Sequence, residues 1–290
     1  MFEDSRTCGD RIQPITGQRF TASAFPVIES EKLDGRLVLE VLDGGRAAAI
    51  FRGVVSQKDC QQIASNFWVH PARYTRRADA PAEYIGSFHF GKPLDFYLEE
   101  AARADITLDR LFDGSASPQR AFIEALGGEL AHQGRGAVRV AEHHGRKAAR
   151  FVMRSWTNRK QFSLLPHEDE AQCRCPNQAG FEIQEAADNP LVAVNICVEH
   201  SEGGGLRIWN IIPDEASRWR LGLTETGSPY PLESLAGHES QLIEIRPGDV
   251  YCFNGKAVHA VEAMANPTSR RATIAFLMAR LNPATVVYWA

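Results

Sequence analysis

The chain predicts an α+β fold in which a jelly-roll or related β-barrel in the second half carries helices supplied by the first. Three observations lead there. Over about residues 56–68, 94–112 and 118–130 apolar side chains recur at helical spacing, whereas from about residue 136 onward short apolar runs of strand length dominate, separated by glycine and proline turns. Helices that precede strands, rather than alternate with them, give the α+β order. The 290 residues are 44% hydrophobic and 9% aromatic, enough for a full core. We therefore expect a single domain over 1–290, with about 1–135 as helix-rich support and substrate entrance and about 136–290 as the jelly-roll core.

In chain order, the stretch up to about residue 35 is irregular, broken by Pro14, Gly17 and Pro26. Residues 37–42 read as a strand stopped by Asp43-Gly44-Gly45, and 47–55 as another. Ser56 with Asp59 three positions on is an N-cap signal, opening a helix to about Trp68. Residues 69–93 lack periodicity. Loops of that length in a compact domain are commonly functional, so Arg73, Tyr74, Arg76, Arg77, Tyr84 and His89 are candidates to line a substrate entrance; the plainer alternative is a solvated loop with aromatic anchors. Helices follow at 94–112 and 118–130. Strands are then expected at 137–140, 149–156, 161–165, 180–184, 191–198, 205–208, 241–245, 250–253, 258–261 and 272–277. The insertion from Asn210 to Ser240, with a short helix near 215–221, reads as a lid or side wall at the barrel mouth.

Composition excludes several functions. A net charge of −4, a pI near 6.2 and no long basic run leave nothing that asks for nucleic acid or an anionic membrane. No window of membrane-spanning length is apolar throughout, and Met1 to Arg6 lacks the start of a secretory signal. Six scattered cysteines in a chain this large read as free thiols of a cytoplasmic protein. Cys173-Arg174-Cys175 has the wrong spacing for a zinc half-site.

The chemistry centres on Leu164-Leu165-Pro166-His167-Glu168-Asp169-Glu170. On a strand, His167 and Asp169 project from one face and can hold adjacent positions on a divalent metal. Alone this pair is weak, since His-x-Asp is frequent in surface loops. A second stretch strengthens it: Arg246-Pro247-Gly248-Asp249 reads as a turn, Val250 to Phe253 as a buried strand, Asn254-Gly255 as another turn, and His259 enters the next strand. Two histidines and a carboxylate with the other positions open is the ligand set of non-haem Fe(II) oxygenases. The other histidines, His143, His144 and His200 among them, carry no comparable context. Arg270 and Arg271 then open an apolar strand, an odd place for a cation without a partner.

His-x-Asp, a distal histidine and an arginine about ten residues on resemble the 2-oxoglutarate-dependent Fe(II) dioxygenases, as do the Pro247-Gly248-Asp249 turn and Glu202 to Trp209. The resemblance implies a double-stranded β-helix, the cupin-like form of the jelly roll, with Fe(II) and 2-oxoglutarate as cofactors and His167, Asp169 and His259 as iron ligands. For the distal carboxylate of 2-oxoglutarate it offers two arginines. Arg270 lies 270 − 259 = 11 positions after the distal histidine, the commoner spacing, and is slightly favoured; Arg271 shares a strand face with Thr273, a hydroxyl donor. Asn195, on an apolar strand, would orient the cosubstrate or tie two strands together. Trp209 is expected to wall the pocket, and Arg150 and Arg154 to reach it.

Phe51-Arg52-Gly53-Val54, Gly86 to Gly91, the 94–112 helix and the closing Val287-Tyr288-Trp289 are further similar to the carrier-independent aliphatic halogenases of the welwitindolinone type, from about residue 45 to the end. Those enzymes have a small residue where this chain has Asp169, and chloride takes the place of the carboxylate. The likeness thus implies a hydroxylase or related oxidase: O2-dependent oxidation of an unactivated C–H in a small amino-acid-like or secondary-metabolite substrate, releasing succinate and CO2. Desaturation, ring closure or epimerisation would use the same ligands. A cupin-like metal protein without 2-oxoglutarate chemistry is the alternative from another class, and a halogenase the weaker one.

Overall fold

A computed structural model describes residues 12–75, 82–134, 136–156, 161–266 and 268–290. The segment through Arg11, with Cys8, and the entrance candidates Arg76 and Arg77 lie outside them. Two sheets face each other. The larger runs Ile28–Ser30, Ala48–Phe51, Val250–Asn254, Leu191–His200, Arg271–Asn282, Val152–Trp156, Ala82–Ile85, Tyr74–Thr75. Thr285–Trp289 pairs with the far half of Arg271–Asn282 and carries Ala137–Val140 at its own edge. The smaller sheet has the order Phe162–His167, His259–Glu262, Leu206–Trp209, Ser240–Ile243. Its neighbours are distant in sequence, as a jelly roll requires.

The central strands are buried on both faces, and their residues sort by parity. Val192, Val194, Ile196, Cys252, Ile274 and Met278 join the helix-facing core with Phe67, Phe122 and Leu126. Ala193, Cys197, Tyr251 and Phe253 take the opposite side, toward the smaller sheet. The helices on the outer face are Gly35–Leu42, Gln57–Val69 and Pro118–His132, while Leu94–Leu108 packs with Leu191, Ala275 and Trp289 and reaches the outer core only at Leu108. Ser56 caps the second as expected, its hydroxyl accepting from the Asp59 N–H. Leu94–Leu108 tightens into a 3-10 turn over Asp109–Phe112.

Two expected strands are helices. The 37–42 run forms most of Gly35–Leu42, with the Asp34 carboxylate accepting from the Arg36 N–H. Its apolar side chains are wedged between the sheet and the Pro118–His132 helix, and only Arg36 and Glu40 take the solvent side. A Cβ at Gly35 would lie 2.5 Å from the Ala125 carbonyl oxygen, so glycine permits that approach. A short continuous apolar run carries no period by which helix and strand can be told apart. The 180–184 stretch likewise becomes Glu182–Ala186, where Phe181, Ile183 and Ala186 pack into a core with Tyr97 and Trp289. The helix expected near 215–221 is Glu215–Leu221, capped by Asp214 and ended by Gly222 in the left-handed region at φ 69°. The five described cysteines are free thiols. Among the described residues no helix is long and apolar enough to cross a membrane.

Candidate metal and cosubstrate site

His167 ends one strand of the smaller sheet and His259 begins its neighbour, and the two are Cα partners across the antiparallel pair. Their rings meet with centroids 4.1 Å apart. Each Nδ1–H donates to the carbonyl two residues earlier, Leu165 at 2.7 Å and Ala257 at 2.9 Å, which fixes the tautomer and leaves Nε2 with a free lone pair. Burial pushes His167 down to about 3, assisted by the nearby His259, and His259 down to about 4. Both imidazoles are neutral near pH 7, as metal ligation requires.

Asp169 reaches the same point by a different route from the alternation expected of it. The strand stops at His167, and Asp169 sits in helical conformation (φ −98°, ψ −8°) at the head of the Glu170–Cys173 turn. Its N–H donates to the Gly255 carbonyl at 2.8 Å, anchoring it to the loop that leads into His259. A Cβ at Gly255 would come within 2.9 Å of Asp169 Oδ2, so that glycine keeps room for the carboxylate. Asp169 Oδ2 lies 3.5 Å from His259 Nε2, and Oδ1 lies 3.9 Å from His167 Nε2. All three donor groups fall within 4.8 Å of one another. Burial raises the Asp169 carboxyl above its usual value, an electrostatic cost that a cation between the three groups removes.

Gln172, one turn on, donates from Nε2 to Asp169 Oδ1 at 2.7 Å. Partners of this kind orient a ligand, and Gln172→Ala is expected to weaken Fe(II) binding by about 10–100-fold without unfolding the protein, as read by metal titration beside circular dichroism. Glu168, between the two ligands, accepts from the N–H groups of Glu170 and Ala171 and so caps the turn.

The three groups open on a cavity of about 210 Å³. Tyr84, Phe88, Trp156, Leu164 and Leu277 supply its apolar wall; Arg154, Asn195, Tyr251 and Arg271 supply polar groups. The 210–239 insertion contributes Thr226 and Ser228 as a side wall. It is bound to the metal-side turn through Glu168 N–H to the Gly227 carbonyl and through the Arg218–Glu170 ion pair at 2.9 Å.

Of the two arginines, the structure reverses the preference. Arg271 is 1% exposed, and its Nη2 donates to the Tyr251 hydroxyl. Its Nε and Nη1 have no partner among the described residues, nor has Thr273 Oγ1. Arg270 is exposed and stacks on Trp68 of the outer helix, 4.5 Å from guanidinium to ring centroid. Strand parity is the reason: even positions 272, 274, 276 and 278 face the helices, so Arg271 takes the barrel side. Trp209 is a second correction. It does not line the cavity but packs beneath the insertion with Ile15, Ile211 and Tyr230, because Leu206 and Ile208 occupy the inward positions of its strand. Arg150 points outward to Asp105 and Asp109, whereas Arg154 and Asn195 do face the cavity. Of the entrance candidates, Tyr84 and His89 line it, while Arg73 pairs with Glu83 and Tyr74 is surface-exposed. Sequence reasoning missed Tyr251, Gln172 and Gly255. Tyr251 shares inward parity with Phe253, and that was its one signal.

The donor set fits a first-row divalent ion, and the unpaired guanidinium edge of Arg271 beside Thr273 fits a carboxylate. Comparisons with known proteins agree. No protein-family model matches the chain. It is 32% identical over 255 residues to the L-isoleucine 3(1)-dioxygenase of Pantoea ananatis (strain AJ13355), covering 84% of each. Its fold is similar to the crystal structure of an N-substituted L-amino acid dioxygenase from Burkholderia ambifaria AMMD, with a TM-score of 0.54 at 13% identity, covering 88% of this chain and 91% of that one. The same protein in complex with alpha-KG gives a TM-score of 0.53 over the same shares. The barrel is a double-stranded β-helix, and the chain belongs to the Fe(II)/2-oxoglutarate-dependent dioxygenases, with Fe(II) and 2-oxoglutarate as its cofactors.

Proposed function

We propose that this dioxygenase hydroxylates an unactivated C–H bond of an amino acid or amino-acid-like molecule, using His167, Asp169 and His259 as iron ligands and Arg271 for the distal carboxylate of 2-oxoglutarate. The observation that carries the site assignment is the placement of the facial donor set and a buried, half-unpartnered arginine on one cavity. Bound Fe(II), 2-oxoglutarate and O2 together supply the oxidising chemistry, with succinate and CO2 as co-products. The chain's part is positional. Leu165 and Ala257 carbonyls hold the two imidazoles in their ligating tautomer, and Gln172 with the Gly255 carbonyl orients Asp169. Tyr251 holds one edge of the Arg271 guanidinium and Thr273 follows Arg271 on the same strand face, so a carboxylate there would meet hydroxyl donors as well as the cationic fork. The aromatic wall excludes water from the C–H to be oxidised.

The substrate class is supported by the 32% identical relative, whose name specifies L-isoleucine. Asp169 fills the coordination position that chloride takes in the halogenases the sequence resembles, which favours oxygenation as the outcome. With Fe(II), 2-oxoglutarate and O2, a panel of apolar L-amino acids and their N-substituted derivatives is expected to contain members that accelerate succinate formation and gain one oxygen atom by mass spectrometry. A panel in which none raises succinate formation above background overturns the amino-acid reading.

A further inference from the structure

A second cation faces the cavity. Arg154 stands on Val152–Trp156, opposite Thr273 in the neighbouring strand, and with Val152 and Trp156 it lines the same space as the iron ligands. Among the described residues it has no carboxylate partner. Its Nη2 makes one long hydrogen bond to Asn195 Oδ1, at 3.4 Å, and its buried Nε makes none. Arg150, on the outer side of the same region, is held by two aspartates. A guanidinium turned into an apolar cavity without a counter-charge is costly to keep there, and an anion from outside the chain removes that cost.

Around the Arg154 guanidinium stand Trp156, whose ring centroid is 5.2 Å away, and Tyr84, the cross-strand partner of Arg154. Tyr84 is in turn packed against Trp156 at 6.2 Å and Phe88 at 5.8 Å.

We propose that Arg154, steadied by Asn195, clamps the carboxylate of the substrate, while Tyr84, Phe88 and Trp156 wall the apolar chain which that carboxylate carries. This rests on the amino-acid reading above and narrows it: the substrate has a free carboxylate and an apolar chain, and its amide or ester is a poor substitute. Binding is read anaerobically on the Fe(II)–2-oxoglutarate protein, from the change in its visible charge-transfer absorption. The probes are L-isoleucine, other apolar L-amino acids, their N-acetyl derivatives and the methyl esters of each.

The strongest acid for wild type is expected to bind Arg154→Leu at least about 30-fold more weakly, as for truncation of one partner of a desolvated ion pair. Its methyl ester should be comparably weak on wild type and lose little more on the variant, and Arg154→Lys should recover part of the loss. The 2-oxoglutarate titration of the same band is expected to move little. Equal binding of the acid to wild type and Arg154→Leu overturns the clamp. So does a parallel loss of 2-oxoglutarate affinity, which would make Arg154 a cosubstrate residue. If wild type itself binds no acid of the panel, the amino-acid reading fails and the clamp falls with it.

Discussion

Replacing His259 with alanine is expected to abolish both tight Fe(II) retention and substrate-dependent succinate formation. Single outer partners of metal ligands are worth about 10–100-fold, and loss of a direct ligand should exceed the upper end of that range. His259 is 4% exposed, and its ring packs edge-on against Phe253 at 4.7 Å, so the truncation also opens a small cavity. His259→Gln, closer in volume, separates packing from ligation: it should fold like wild type by circular dichroism and still fail to hold the metal. Undiminished turnover in either variant would sink the assignment of the iron ligands.

The second large effect concerns the arginine pair. Arg271→Ala removes the cationic partner of a buried carboxylate, a penalty of about 3–5 kcal/mol, or more than about a hundred-fold in affinity. The dissociation constant of 2-oxoglutarate, titrated anaerobically with Fe(II), should rise by that factor. Arg270→Ala loses a surface contact over the Trp68 ring, worth about 0.5–1 kcal/mol of stability, and should leave the titration almost unmoved. Equal small effects in the two variants would place the carboxylate elsewhere.

These two residues also show what the sequence could and could not convey. The strand over 272–277 was legible, and so was the Arg-x-Thr pairing on one face. What was missing was which face looks inward. Both faces of that strand are buried, one under helices and one over the cavity, so hydropathy does not alternate and parity has no visible sign. Sequence spacing then favoured Arg270, whereas the barrel turns Arg271 inward and leaves Arg270 at the surface. Trp209 fails for a different reason: it shares the outward face with Arg207, and the cover that buries it, the insertion that follows, is not visible in the strand's own pattern. His167, Asp169 and His259 were legible as types at recognisable spacing, although Asp169 arrives through a helical turn rather than along a strand. The 37–42 run was misread because it is too short and too apolar to show a period, and the 180–184 run because Phe181 and Ile183 alternate with polar residues as a strand's would over a helix of only five residues. Gln172 and Gly255 were invisible because their roles are a single hydrogen bond and an absent side chain, neither of which leaves a pattern.

His167 and His259 are Cα partners across an antiparallel pair although they are 259 − 167 = 92 positions apart in the chain. An unfolded chain has no reason to hold these two imidazoles together, so the three-donor site exists only in the closed barrel. With His167, Asp169 and His259 as the proposed ligands, thermodynamic linkage makes Fe(II) a clasp on the smaller sheet, stabilising the fold by an amount that grows with free Fe(II) relative to its dissociation constant. Strand register and metal occupancy thus become one equilibrium, in which a slip of either strand by one residue would turn a ligand out of the site and forfeit the ion.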